Sequence, residues 1–177
     1  MIAFLDQTIS LNTLIWLFMI VFMLHDFEEI IGVEPWMKKH YAATIDRIPS
    51  AYRAFFADFL NIKSYQFAVA VLLEFILFIP VTFFAAERGA YFLFTAFNSV
   101  LLLHVFTHVG QTILIRKYTI GVATAVLIAL PYTLYLFYRL TKEEVVTWGQ
   151  IFLSVPVGFT IVPIVYFGHR LGKRLFP

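Results

Sequence analysis

Five apolar runs, at residues 11–31, 65–86, 91–115, 120–138 and 148–167, set the strongest limit on what this chain can fold into. Each approaches or exceeds the roughly 20 residues that an α-helix needs to cross the hydrocarbon core of a bilayer. Inside a bilayer the backbone has no water to bond with, so a spanning segment must satisfy its own N–H and C=O groups as a helix. The composition agrees: 61% of the residues are hydrophobic, only 14% are charged, and 21 are Phe. The expected fold is all-α, a single domain over residues 1–177 built as an integral membrane bundle of five transmembrane helices. Pro131 in the fourth run and Pro156 and Pro163 in the fifth should bend their helices by removing a backbone donor.

Basic residues between the runs orient the bundle. Lys38, Lys39, Arg47, Arg53, Lys63, Arg116, Lys117, Arg170, Lys173 and Arg174 fall on one side, against Arg88, Arg139 and Lys142 on the other. The excess of Lys and Arg in cytoplasmic loops then predicts an N-out, C-in protein of the cell membrane, multi-pass. The tail before the first run has no basic residue, so a removable signal peptide is not expected. The 32–64 connection interleaves Trp36, Tyr41, Tyr52, Phe55, Phe56 and Phe59 with Lys, Arg and Asp around Pro35 and Pro49. That pattern predicts a short interfacial amphipathic segment between helices 1 and 2, either an anchor or a lid over a site at the end of the first span. A net charge of +2 without a basic patch gives no sign of nucleic-acid binding.

Ionisable residues inside a span are costly and mark functional sites. The first run holds four of them within about a turn: His25, Asp26, Glu28 and Glu29. His25, Glu28 and Glu29 are spaced i, i+3 and i+4 and share a helix face, while Asp26 points about a quarter-turn away. In the third run His104, Thr107, His108 and Gln111 form a second polar stripe, and two His at i and i+4 can reach one ion. Helices 1 and 3 run in the same direction. At 1.5 Å per residue, His25 lies roughly 21 Å below the outer start of its run, and His104 and His108 about 20 and 26 Å below theirs. The two stripes therefore lie at one level and can converge in the cytoplasmic half. Glu74 on helix 2 is a deeper ligand, a proton donor or a partner of the ligands.

With no cysteine in the chain, His and carboxylates are the available ligands, a set that suits zinc, iron or manganese, one or two ions. The expected metal ligands are His25, Glu28, Glu29, His104 and His108. Whichever of Glu28 and Glu29 is not a ligand serves as general base toward water, with Glu74 a third catalytic candidate. Asn98 and Gln111 read as hydrogen-bonding glue between helices, Tyr118 as an interfacial anchor, and His169 as part of a basic tail on anionic lipid.

The motif His25-Asp26-Phe27-Glu28-Glu29 resembles that of the HXXEE family of small bacterial and archaeal membrane proteins. The family pattern also has a further histidine, for which His104 and His108 are the candidates, and a Tyr-x-Pro-Gly motif that resembles Tyr118-Thr119-Ile120-Gly121, with Ile120 in place of the proline. The resemblance implies a membrane protein with a functional His/Glu cluster and leaves its substrate open. The design is also similar to intramembrane CAAX-type proteases, without the arginine that follows their glutamates, and to five-helix sterol isomerases that use His and Glu without metal.

The expected function is a membrane metalloenzyme, hydrolase or oxidoreductase, acting on a lipidic or isoprenoid-like substrate. The alternatives are a metal-free isomerase or cyclase using a His/Glu proton relay, and a metal or small-molecule transporter or binding protein. The expected partners are membrane lipid, a hydrophobic small molecule and, for a transporter above all, a second copy of the chain. A site shared by helices 1 and 3 requires His25 within roughly 12 Å of His104 or His108.

Overall fold

The computed structural model describes residues 2–45, 50, 53 and 61–177, residues 41–44 by their backbone alone. The elements are α1 (Ile2–Thr8), α2 (Leu11–Ile45), α3 (Ser64–Arg88), α4 (Tyr91–Ile115), α5 (Val122–Lys142), α6 (Trp148–Gly158) and α7 (Ile161–Leu175). No strand occurs among the described residues. α3, α4, α5 and the α6–α7 pair are each long and apolar enough to cross a membrane, and α1 with α2, bent by 101°, gives a further candidate. The fold is thus an all-α bundle with four or five such segments.

Side chains explain where the helices start and stop. Thr147 and Gln150 form a capping box at the head of α6: Gln150 N–H donates to Thr147 Oγ1 at 3.2 Å and Thr147 N–H to Gln150 Oε1 at 2.8 Å. α3 ends on Gly89, whose φ of +66° a residue with a Cβ rarely adopts. In α5 the residues Ala125–Ala129 form a π-helical stretch directly before Leu130 and Pro131. Pro131 has no N–H to give the preceding turn and its ring crowds a carbonyl there, and the wider turn absorbs both effects. The break between α6 and α7 falls between Pro156 and Pro163, as the prolines predict.

α2 departs from the expectation. The apolar run ends at 31, yet the helix continues through Pro35 to Ile45. Its extension is held by polar contacts: the Trp36 indole N–H donates to the Tyr118 carbonyl at 2.7 Å, and Glu34 pairs with Lys38 at 2.8 Å and Lys63 at 3.1 Å. The first part of the expected interfacial segment is therefore helix α2 itself, and Tyr52, Phe55, Phe56 and Phe59 lie outside the described residues.

Phe18 and Phe22 of α2, Phe78 of α3 and Phe94 and Phe97 of α4 pack ring against ring in the core. Large apolar side chains also cover the outside, among them Ile31, Leu127, Phe152 and Leu153. Large apolar side chains on the outside suit lipid as the solvent, and several polar side chains turn inward: His25, Asp26, Asn98, His108, Thr133 and Ser154 are buried. α7 lies close on α3 because glycine faces it. A Cβ at Gly168 would stand 2.6 Å from Ala70 Cα, and one at Gly172 would stand 2.3 Å from the Gln66 carbonyl oxygen. The short α1 is clasped to the far end of α5, where Asp6 accepts from Tyr135 at 2.9 Å, Tyr138 at 3.2 Å and Lys142 at 2.5 Å.

Candidate metal centre

α2 and α4 face one another through side chains, and their polar stripes meet. The imidazole of His25 is 5.3 Å from that of His104 and 5.0 Å from that of His108, centre to centre, and the two α4 rings are 4.3 Å apart. Both figures for His25 fall well inside the 12 Å limit. One turn of helix separates His25 from Glu29 and His104 from His108, so each helix presents two side chains to the same spot. His108 Nε2 stands 2.8 Å from His104 Nε2 and 3.2 Å from Glu29 Oε1. His25, Glu29, His104 and His108 each offer one ligand-capable atom, and the four atoms lie within 4.8 Å of one another. Three imidazoles and one carboxylate form a donor set of the kind that binds zinc or iron. Around an ion with bonds of about 2.0–2.1 Å, tetrahedral donors stand about 3.4 Å apart, so the set closes with side-chain shifts of about an ångström.

Two of the four donors are buried and two, Glu29 and His104, partly so. His25 is 1% and His108 3% exposed. Gly121, with φ +86°, passes so close that a Cβ there would lie 2.5 Å from His108 Cε1 and 3.0 Å from Glu29 Oε1. This is the glycine of the Tyr118-Thr119-Ile120-Gly121 motif. Ile120, in the proline position, fills the space above Gly32, where a Cβ would meet its Cδ1 at 2.7 Å.

The structure places Glu28 outside the donor set. Its Oε1 accepts from Tyr118 Oη and from Gly121 N–H at 3.1 Å, and its Oε2 accepts from Thr124 N–H at 2.8 Å and Thr124 Oγ1 at 2.5 Å. Glu28 and Glu29 differ by about 100° around the helix, which is enough to send one to the start of α5 and the turn before it, and the other to the histidines. Tyr118 and Thr124, which sequence reasoning read as an anchor or passed over, thus belong to the site's surroundings. The Tyr-x-x-Gly pattern was the available signal for Tyr118. Thr124 sits in an apolar run and gave none.

Glu74 is not one of the four donors, but it lies near enough to Glu29 and Asp26 to interact with both electrostatically. Asp26 turns inward toward that side, 6% exposed, with Oδ2 unpartnered. His169 of α7 is buried against the Phe67 ring at 5.1 Å and interacts electrostatically with Glu29, so it belongs to the bundle interior and not to a lipid-facing tail. Asn98 bonds within its own helix, to the Phe94 carbonyl at 2.9 Å, and does not reach the histidines; Gln111 is exposed.

Known proteins resemble this chain in sequence. Residues 16–136, which contain all four donors and the 118–124 turn, match the family described as "Protein of unknown function with HXXEE motif". A relative in Bacillus subtilis (strain 168), "Uncharacterized protein YrkK", is 21% identical over 158 residues, covering 87% of this chain and 92% of that protein. No solved structure matches the chain. The match over residues 16–136 takes in well over half of the sequence, and the protein belongs to the HXXEE family.

Proposed function

We propose that this protein is a membrane-embedded metalloenzyme whose ion is held by His25, Glu29, His104 and His108. The observation that carries this reading is the convergence of four ligand-capable atoms, from two helices far apart in sequence, within 4.8 Å. Hydrogen bonding between helices needs no such concentration, and its average worth of roughly 0.6 kcal/mol per contact is small against the cost of placing ionisable groups in a span.

Glu28 is engaged by four donors of the turn, so the proton-handling groups in this reading are Asp26 and Glu74 beside Glu29. A buried carboxylate there accepts a proton from water or substrate and returns it to a leaving group. The ion supplies Lewis acidity or redox chemistry. Zinc held by these residues would favour hydrolysis, and a two-iron site that also included Glu74 would favour oxidation. The apolar exterior and the depth of the site favour a lipidic or isoprenoid-like substrate arriving from the bilayer. The distribution of Lys and Arg supports five spans with the N-terminus outside and the site in the cytoplasmic half.

A second reading has its own support. The 2.8 Å contact between His104 Nε2 and His108 Nε2, continued to Glu29, is also a proton path, as a metal-free isomerase or cyclase requires. Elemental analysis of protein purified without a metal-affinity step separates the two. The metalloenzyme reading predicts stoichiometric zinc, iron or manganese, lost in both His25→Ala and His104→Ala. Protein that carries no such metal and takes up none from buffer contradicts it.

A further inference from the structure

Glu28 is the motif carboxylate that the donor set leaves out, and its contacts give it a different task. The Thr124 hydroxyl stands between Glu28 Oε2 at 2.5 Å and His25 Nδ1 at 3.0 Å. A hydroxyl has a single proton to donate. Glu28 Oε2 is the nearer acceptor, since the competing Gly121 carbonyl is 3.3 Å away. With its proton on Glu28, the Thr124 oxygen can only accept from His25, which puts the imidazole proton on Nδ1. That leaves the lone pair on Nε2, the His25 atom that is buried with no hydrogen-bond partner.

At His104 the Thr107 hydroxyl donates to the His104 carbonyl at 2.7 Å and lies 3.4 Å from Nδ1, while Nε2 is 2.8 Å from His108 Nε2.

We infer that Glu28 and Thr124 are positioning residues that act through His25, fixing its tautomer and ring orientation so that Nε2 faces the donor set. Glu28 is itself held by the turn, through the N–H groups of Gly121 and Thr124 and the Tyr118 hydroxyl. The 118–124 turn is therefore joined to the first motif through one carboxylate. The consequence for metal affinity rests on the metal-centre reading; the tautomer rests on the hydrogen bonds alone. Partners on the far nitrogen of a ligating histidine typically matter about 10–100-fold in metal affinity.

The test uses the full chain in detergent, with nitrogen-15 histidine shifts, assigned for His25 by comparison with His25→Ala, and Co²⁺ binding as probe. The expected wild-type result is a proton on His25 Nδ1. Thr124→Val, which keeps the backbone N–H to Glu28 but removes the hydroxyl, loses that preference, binds Co²⁺ about 10–100-fold more weakly and shifts its visible bands, whereas Thr124→Ser stays within about threefold of wild type. A wild-type His25 protonated on Nε2 overturns the inference, as does a Thr124→Val protein with wild-type tautomer and affinity. If wild type binds no Co²⁺, the metal reading fails by itself, and the positioning claim is still decided by the wild-type tautomer, which requires no variant to fold.

Discussion

Replacing Gly121 with alanine loads the turn and the donor set at once. Two costs add. The backbone at φ +86° is left-handed, which charges a residue with a Cβ about 1–2 kcal/mol. The new methyl would also stand 2.5 Å from His108 Cε1, 2.9 Å from His108 Nδ1 and 3.0 Å from Glu29 Oε1. Carbon atoms rest at about 3.5–4.0 Å, so the His108 ring must retreat by about an ångström. Overpacking of that kind costs about 1–3 kcal/mol. The total is about 2–5 kcal/mol, together with a zinc affinity lowered about tenfold or more as two donors are displaced. Two other glycines separate the causes. Gly89, at φ +66° with its nearest neighbour 3.6 Å from a Cβ, carries only the backbone cost, and Gly110 in α4, with nothing within 4 Å, carries neither. The assay is thermal unfolding in detergent beside zinc competition for Gly121→Ala, Gly89→Ala and Gly110→Ala. The reasoning is refuted if Gly121→Ala is no less stable than Gly89→Ala and binds zinc as wild type does.

Other outcomes follow from the packing. In Gly172→Ala the methyl would meet the Gln66 carbonyl oxygen at 2.3 Å, a backbone atom that cannot swing aside, so α7 separates from α3 at a cost of about 1–3 kcal/mol, read as a lowered midpoint of unfolding. Asp6→Asn weakens the clasp of Tyr135, Tyr138 and Lys142 on α1, and hydrogen exchange of residues 2–8 should speed up while the amides around His25 stay protected.

The sequence showed the broad architecture because its apolar runs have bilayer length, and bilayer physics leaves such runs little choice but helix. The convergence of His25, Glu29, His104 and His108 was also legible, because i, i+4 spacing on two helices is a geometric statement that tertiary structure only has to honour. Glu28 was harder. Its spacing from His25 is nearly as good as that of Glu29, and only the position of the 118–124 turn, a contact about 90 residues away in sequence, decides that it bonds Thr124 instead of facing the imidazoles. Thr124 carried no signal at all, since a threonine in an apolar run most often bonds its own helix. The end of α2 was misplaced at 31 because hydropathy marks where lipid contact stops, whereas the helix persists through Pro35 on contacts such as Trp36 to Tyr118. His169 was assigned to the basic tail by its neighbours Arg170, Lys173 and Arg174, but Gly168 and Gly172 bring its helix against α3 and carry it inside.

The central claim is that three imidazoles and one carboxylate hold a single ion, and X-ray absorption at the zinc edge reads that coordination directly. Protein reconstituted with zinc should show a nitrogen and oxygen shell at about 2.0–2.1 Å with the outer scattering of several imidazoles, reduced in His25→Ala and in His104→Ala. A shell of water oxygens without imidazole scattering, the same in wild type and both variants, would contradict the account.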